Sequence, residues 1–184
     1  MTRAAFLWCV GAASAAVFIA GGAAATVLVT LEEALDLAFP DAKTERQTLF
    51  LSLDQQREIS QRSGHELSGA LVTRFVASSL DGDVIGFAYV DTHVVRTLPE
   101  TIMVIVDSTG AVKRVEVVSF REPLEYMPRE GWYRQYDGEK LNDDLALKRN
   151  IRPVTGATLT ARATTEAVRR VLAIHDVAGS RESR

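Results

Sequence analysis

A chain of 184 residues, 47% hydrophobic and 24% charged, has room for one folded core and lies outside the composition of disordered, collagen-like and multi-span membrane proteins. Its formal charge of -3, from 21 Lys+Arg against 24 Asp+Glu, offers no basic excess for a phosphate backbone, so no nucleic-acid partner is expected. A single cysteine, Cys9, excludes an intramolecular disulfide, a CxxC pair and a thiolate zinc cage; redox chemistry here would have to rest on a borrowed cofactor.

The first element is apolar. Ala4 to Leu31 holds no charged residue, with Arg3 before it and Glu32 and Glu33 behind. That asymmetry predicts a cytoplasmic N-terminus and an exported remainder, placed in the periplasm or on the outer face of the cytoplasmic membrane. Two readings stay open for residues 1–29. Gly21-Gly22-Ala23-Ala24-Ala25 suits signal-peptide cleavage after Ala25, and the length suits a retained anchor, since roughly 20 apolar residues span a bilayer. Trp8 stands before Cys9, where lipidation wants a small residue. Residues 30–176 form the predicted domain and residues 177–184 a polar tail.

Thr30-Leu31-Glu32-Glu33 is a capping box that opens a helix running to about Phe39 and stopped by Pro40. Ser52-Leu53-Asp54-Gln55 repeats the device for a second helix, which Gly64 closes. The period then becomes strand-like, with runs near 71–79, 84–92, 101–107 and 111–120. Asp81-Gly82 and Asp107-Ser108-Thr109-Gly110 supply hairpin turns, and Pro99 falls between the hairpins. Met103, Ile105, Val115 and Val117 are expected to be buried. Residues 121–150 are loop-rich, though Trp132, Tyr133 and Tyr136 imply packing and a short helix. Ala161, Thr164, Val168, Val171, Leu172 and His175 recur at helical steps, predicting a last amphipathic helix with a frayed tail after Asp176. The class is α+β: an antiparallel sheet of hairpins with flanking helices and a C-terminal amphipathic helix, after the N-terminal apolar segment.

The most specific string, Val154-Thr155-Gly156-Ala157-Thr158-Leu159-Thr160, opens that last helix. Unpaired N–H groups and the positive dipole end favour phosphate there, Gly156 leaves room, and three hydroxyls offer further bonds. The competing reading is that Thr155 or Thr158 merely caps the helix. A threonine nucleophile has no histidine beside it in sequence.

Thr155-Gly156-Ala157-Thr158 resembles the [S/T]-G-A-T string of the FMN-binding domain family, found in the flavin subunits of Rnf complexes and of the sodium-pumping NADH:quinone reductase. The resemblance extends through Leu159-Thr160 and the helix to Ala173, the preceding sheet and the N-terminal segment. It implies FMN as cofactor, held through a phosphoester on the last threonine of the string, Thr158, and installed outside the cytoplasm by a flavin transferase. It implies membrane electron-transfer partners and no catalytic acid or base. The family commonly has an acidic residue three positions before the string; here that residue is Arg152, which could pair with phosphate charge. The family's Glu-Thr-Pro and glycine-rich stretch are missing, and Glu122-Pro123 occupies the corresponding place. Alternatives are a noncovalent FMN or phosphate-ligand module, and a structural subunit of a membrane complex.

Two further clusters are candidates. Asp91-Thr92-His93 with Arg96, Thr97 and Glu100-Thr101 would form either a ligand rim, with His93 facing the cofactor, or a solvated edge. Phe120-Arg121-Glu122-Pro123-Leu124-Glu125-Tyr126 could cover one face of a flavin ring or simply staple a loop to the core. His65 and His175 are read as a loop residue and a cation favoured by a helix end. No histidine and carboxylate spacing suits a metal.

Overall fold

The computed structural model describes residues 26–67 and 69–179. The apolar segment up to Ala25, with Cys9, and the last residues of the polar tail lie outside them. Among the described residues no helix is long and apolar enough to cross a membrane.

Six strands form one antiparallel sheet in the order β1-β6-β5-β4-β3-β2. They are β1 (Thr26–Val27), β2 (Lys43–Phe50), β3 (Leu71–Ser78), β4 (Val84–Val94), β5 (Pro99–Asp107) and β6 (Val112–Phe120). The four expected runs become β3 to β6, with Gly82 and Gly110 at positive φ in the turns. Pro99 opens β5 opposite Val94, so the two expected hairpins fuse into one continuous meander. β2 was not expected. Its sequence KTERQTLF carries no apolar alternation because β2 is an edge strand, exposed over most of its length, and pairing with β3 alone makes it a strand.

Both capping boxes form. α1 (Leu31–Ala38) is capped by reciprocal bonds between Thr30 and Glu33, and α2 (Leu53–Ser63) by Ser52 and Gln55, with Gly64 at φ 76 ending it. α1 covers one face of the sheet, over Ala77, Ala88, Met103, Ile105 and Val118. α2 and the long α4 (Thr158–Ile174) cover the other, over Tyr89, Ile102, Val104, Val106 and Val115. Val117 is partly buried on that second face. Residues 121–150 hold a four-residue helix, α3 (Glu130–Tyr133), and 3-10 turns at Leu124–Tyr126 and Arg134–Tyr136. Trp132 packs edge-on to Tyr133 and Tyr136, and Tyr136 is fully buried with its hydroxyl 2.8 Å from Thr165 Oγ1.

The expected fraying after Asp176 does not occur within the described residues. His175–Gly179 continue α4 as a π turn with Val177 and Gly179 buried. Nor is His175 a cation favoured by a helix end. Burial holds its pKa below the usual histidine value, and its Nδ1 lies 3.0 Å from the Tyr89 hydroxyl.

Candidate functional site

Strand alternation sorts the polar cluster at the β4–β5 turn onto two faces. Asp91, His93 and Glu100 point toward α4 and are buried or nearly so, whereas Thr92 and Thr101 pair through their hydroxyls, 2.9 Å apart, on the opposite face. His93 lies between two carboxylates, Nδ1 2.9 Å from Asp91 Oδ1 and Nε2 2.9 Å from Glu100 Oε2. Arg170 of α4 donates to Asp91 at 3.0 Å, Thr164 donates to Glu100 at 3.0 Å, and the Tyr133 hydroxyl is 3.5 Å from Glu100. Burial opposes the charge on His93, but the hydrogen bonds and negative charge of Asp91 and Glu100 outweigh it and push the pKa up to about 9. Burial likewise works against the Asp91 carboxylate, and its bonds to His93 and Arg170 still hold it below the usual value. The network ties α4 to the sheet. His93 is therefore placed inside a closed set of partners rather than on a ligand rim.

Glu122 is also committed within the protein. Its Oε1 accepts from the Thr97 and Leu98 amides at 2.7 and 2.9 Å, bonds that lower its pKa, and it fixes the turn carrying Arg96. Arg96 lies with its guanidinium 4.4 Å from the Tyr126 ring centre.

The string 154–160 sits opposite that pair. Gly156 has φ 86 in the left-handed region, so its conformation, more than the room beside it, requires glycine: a Cβ there would meet nothing within 4 Å. The chain turns through the Ala157 amide bonding the Val154 carbonyl and enters α4 with Ala157 at the N-cap and no side-chain cap. Neither threonine caps the helix. The exposed Thr158 hydroxyl donates to Val154 O at 3.0 Å, and the Thr160 hydroxyl donates to Tyr126 O at 2.6 Å. The amides of Thr158, Leu159 and Thr160 keep no acceptor among the described residues, which is the donor set a phosphate takes.

Arg96 and Tyr126 on one side and Gly156, Ala157, Thr158, Leu159 and Thr160 on the other enclose a cleft of about 260 Å³. Thr155 is exposed beside it. Arg152 is not among the lining residues. Its amide donates to Gln135 Oε1, its carbonyl accepts from Trp132 Nε1, and it borders a separate cleft with Gly131, Trp132, Gln135 and Asn150. The structure thus brings together the five residues 156–160 and sets Arg152, His93 and Glu122 apart from them. The motif could not reveal the Arg96–Tyr126 wall, because both residues come from turns distant in sequence.

The chemistry of the cleft suits FMN: unpaired amides and a hydroxyl for the phosphate, a cation against its charge, and an aromatic ring beside them. The chain has no match among curated proteins or solved structures. Residues 98–173, from the start of the β5 hairpin through α4, match the model of the FMN-binding domain family and form such a domain, with FMN as its cofactor.

Proposed function

We propose that this protein is an exported electron carrier that holds FMN through a phosphoester on Thr158. The observation that carries the reading is the Thr158 hydroxyl, exposed in the first turn of an uncapped helix and within the Arg96–Tyr126 cleft. Esterification would join Thr158 Oγ1 to the flavin phosphorus, break that phosphorus's bond to the outgoing phosphate of a flavin phosphoanhydride donor, and pass the hydroxyl proton to the outgoing group, ending the bond to Val154 O. A flavin transferase outside the cytoplasm would supply the flavin phosphate, and membrane redox proteins would be the electron partners. The flavin supplies the electron-transfer chemistry when bound. The chain's residues bind and orient it: the 158–160 amides and Arg96 face the phosphate charge, and no carboxylate or histidine lines the cleft to act as acid or base.

The test is coexpression with a flavin transferase, followed by mass spectrometry of the peptide containing Thr158. The adduct is expected on Thr158, absent in Thr158→Ala and retained in part in Thr158→Ser. Flavin on Thr155 or Thr160 would overturn the assignment. The noncovalent reading draws support from Arg152, which stands where the family commonly has an acid. An unmodified wild type with a modified Arg152→Asp would mean that this chain has lost covalent attachment, and free FMN bound with no adduct on any variant would establish the noncovalent reading instead.

A further inference from the structure

The chain enters the sheet at one end, and exposed apolar side chains gather at that same end. Thr26 pairs with Phe120, Phe120 with Glu100, Pro99 with Val94, and on the far side of the sheet Leu71 with Phe50. These positions mark one rim of the sheet. Phe50 is 79% exposed, Leu71 65% and Val94 62%; Leu124, in the loop after β6, is 52% exposed and Leu159, at the start of α4, 47%. Phe50 and Leu71 are directly opposed cross-strand neighbours on the face whose other half α1 covers. Singly exposed leucines are ordinary, but a set gathered along one rim marks a contact surface.

Two observations identify the occupant. The uncharged stretch beginning at Ala4 leads without a spacer into Thr26, which is already hydrogen-bonded in the sheet at this rim. Exposed Arg96, in the turn that follows Val94, and exposed Arg121, directly after Phe120, stand at this rim, two cations suited to anionic lipid. At the opposite end, exposed Leu80, Val84 and Ile85 flank Asp81 and Asp83, which anionic headgroups repel.

We propose that this rim rests on a lipid bilayer, with Phe50, Leu71, Val94, Leu124 and Leu159 entering the headgroup boundary, so that the flavin cleft opens against the membrane surface. The inference rests on the exported placement proposed above, in which residues 4–25 direct the chain to that membrane.

The experiment uses the full chain with Cys9→Ser and single cysteines Leu71→Cys, Leu124→Cys or Leu80→Cys, each labelled with bimane and reconstituted in phosphatidylcholine–phosphatidylglycerol vesicles carrying a headgroup-proximal nitroxide lipid. Quenching at 71 and 124 is expected to exceed that at 80 at least threefold. Adding Phe50→Ser and Leu71→Ser to the 124-labelled protein should bring its quenching down toward the level at 80. Equal quenching at the three positions overturns the proposal, as does failure to float with vesicles. Quenching at 124 unmoved by the serine changes also overturns it, because a tether alone would then hold the rim near lipid. Label at 71 and 124 shielded equally with and without vesicles would mean that residues 4–25 or a second copy cover the rim. In-gel flavin fluorescence of the same samples separates the two readings: flavin without preferential quenching sinks this inference alone, and quenching without flavin sinks the attachment alone.

Discussion

His93 makes a pH-dependent contribution to stability that a single substitution can isolate. Its proton is held in the folded chain with a pKa of about 9, against 6.5 for an ordinary histidine. The corresponding stabilisation is about 3 kcal/mol. Because the folded-state value is raised, the contribution is full below pH 6.5, where folded and unfolded chains both carry the proton, and disappears as pH rises past 9. His65 and His175 are shifted the other way, first of all by burial, so their contributions make stability rise with pH and level off near 6.5. Of the histidines, only His93 acts between pH 6.5 and 9. Urea unfolding followed by circular dichroism at pH 6.5, 7.5, 8.5 and 9.5 should show stability falling by about 3 kcal/mol across the range. His93→Gln should cost about 3–5 kcal/mol at pH 6.5, because Asp91 then keeps only Arg170 while the buried Glu100 is left with the Thr164 and Tyr133 hydroxyls and no cation, and the slope should flatten. A wild-type stability that is flat or rising over this range, or an undiminished slope in His93→Gln, would refute the ion network as drawn.

Val115→Asp places a carboxylate where the side chain is 5% exposed, opposite Val104, and thermal unfolding should register a loss of several kcal/mol. Gly86→Ala puts a Cβ 2.7 Å from Phe39 Cε1 and 2.8 Å from the Val106 carbonyl oxygen, so a cost of about 1–3 kcal/mol is expected; Phe39→Leu should not restore it, because the Val106 backbone cannot withdraw. Gly156→Ala meets no atom but must hold φ 86, which predicts a modest loss of about 1 kcal/mol in unfolding and reduced flavin loading on Thr158.

The elements that local chemistry determines were readable from the chain. The boxes at Thr30 and Ser52, the turns at Gly82 and Gly110, and the apolar stripe of α4 each depend on residues within a few positions of one another. β2 was hidden because an exposed edge strand needs no apolar pattern, and its partner fixes it. The same limit applied to the site. The 156–160 seat follows from its own glycine and hydroxyls, while the Arg96–Tyr126 wall depends on Glu122 fixing the turn at 97–98 and on Thr160 reaching the Tyr126 carbonyl. The cluster at 91–101 looked like one rim because sequence proximity ignores the pleat; alternation sends His93 inward and Thr92 outward.

The bond from Thr160 to the Tyr126 carbonyl joins segments 34 residues apart at the inner end of the cleft. Thr158 lies one half-turn earlier on the same helix, so this contact works like the spine of a book. Its two covers are the helix start and the Arg96–Tyr126 pair, the latter held to the turn that Glu122 fixes. A ligand phosphate seated at the helix start therefore meets the Arg96–Tyr126 wall at a spacing that the protein itself sets. Replacing Thr160 by valine would remove the spine and release the Tyr126 side of the wall from the helix start.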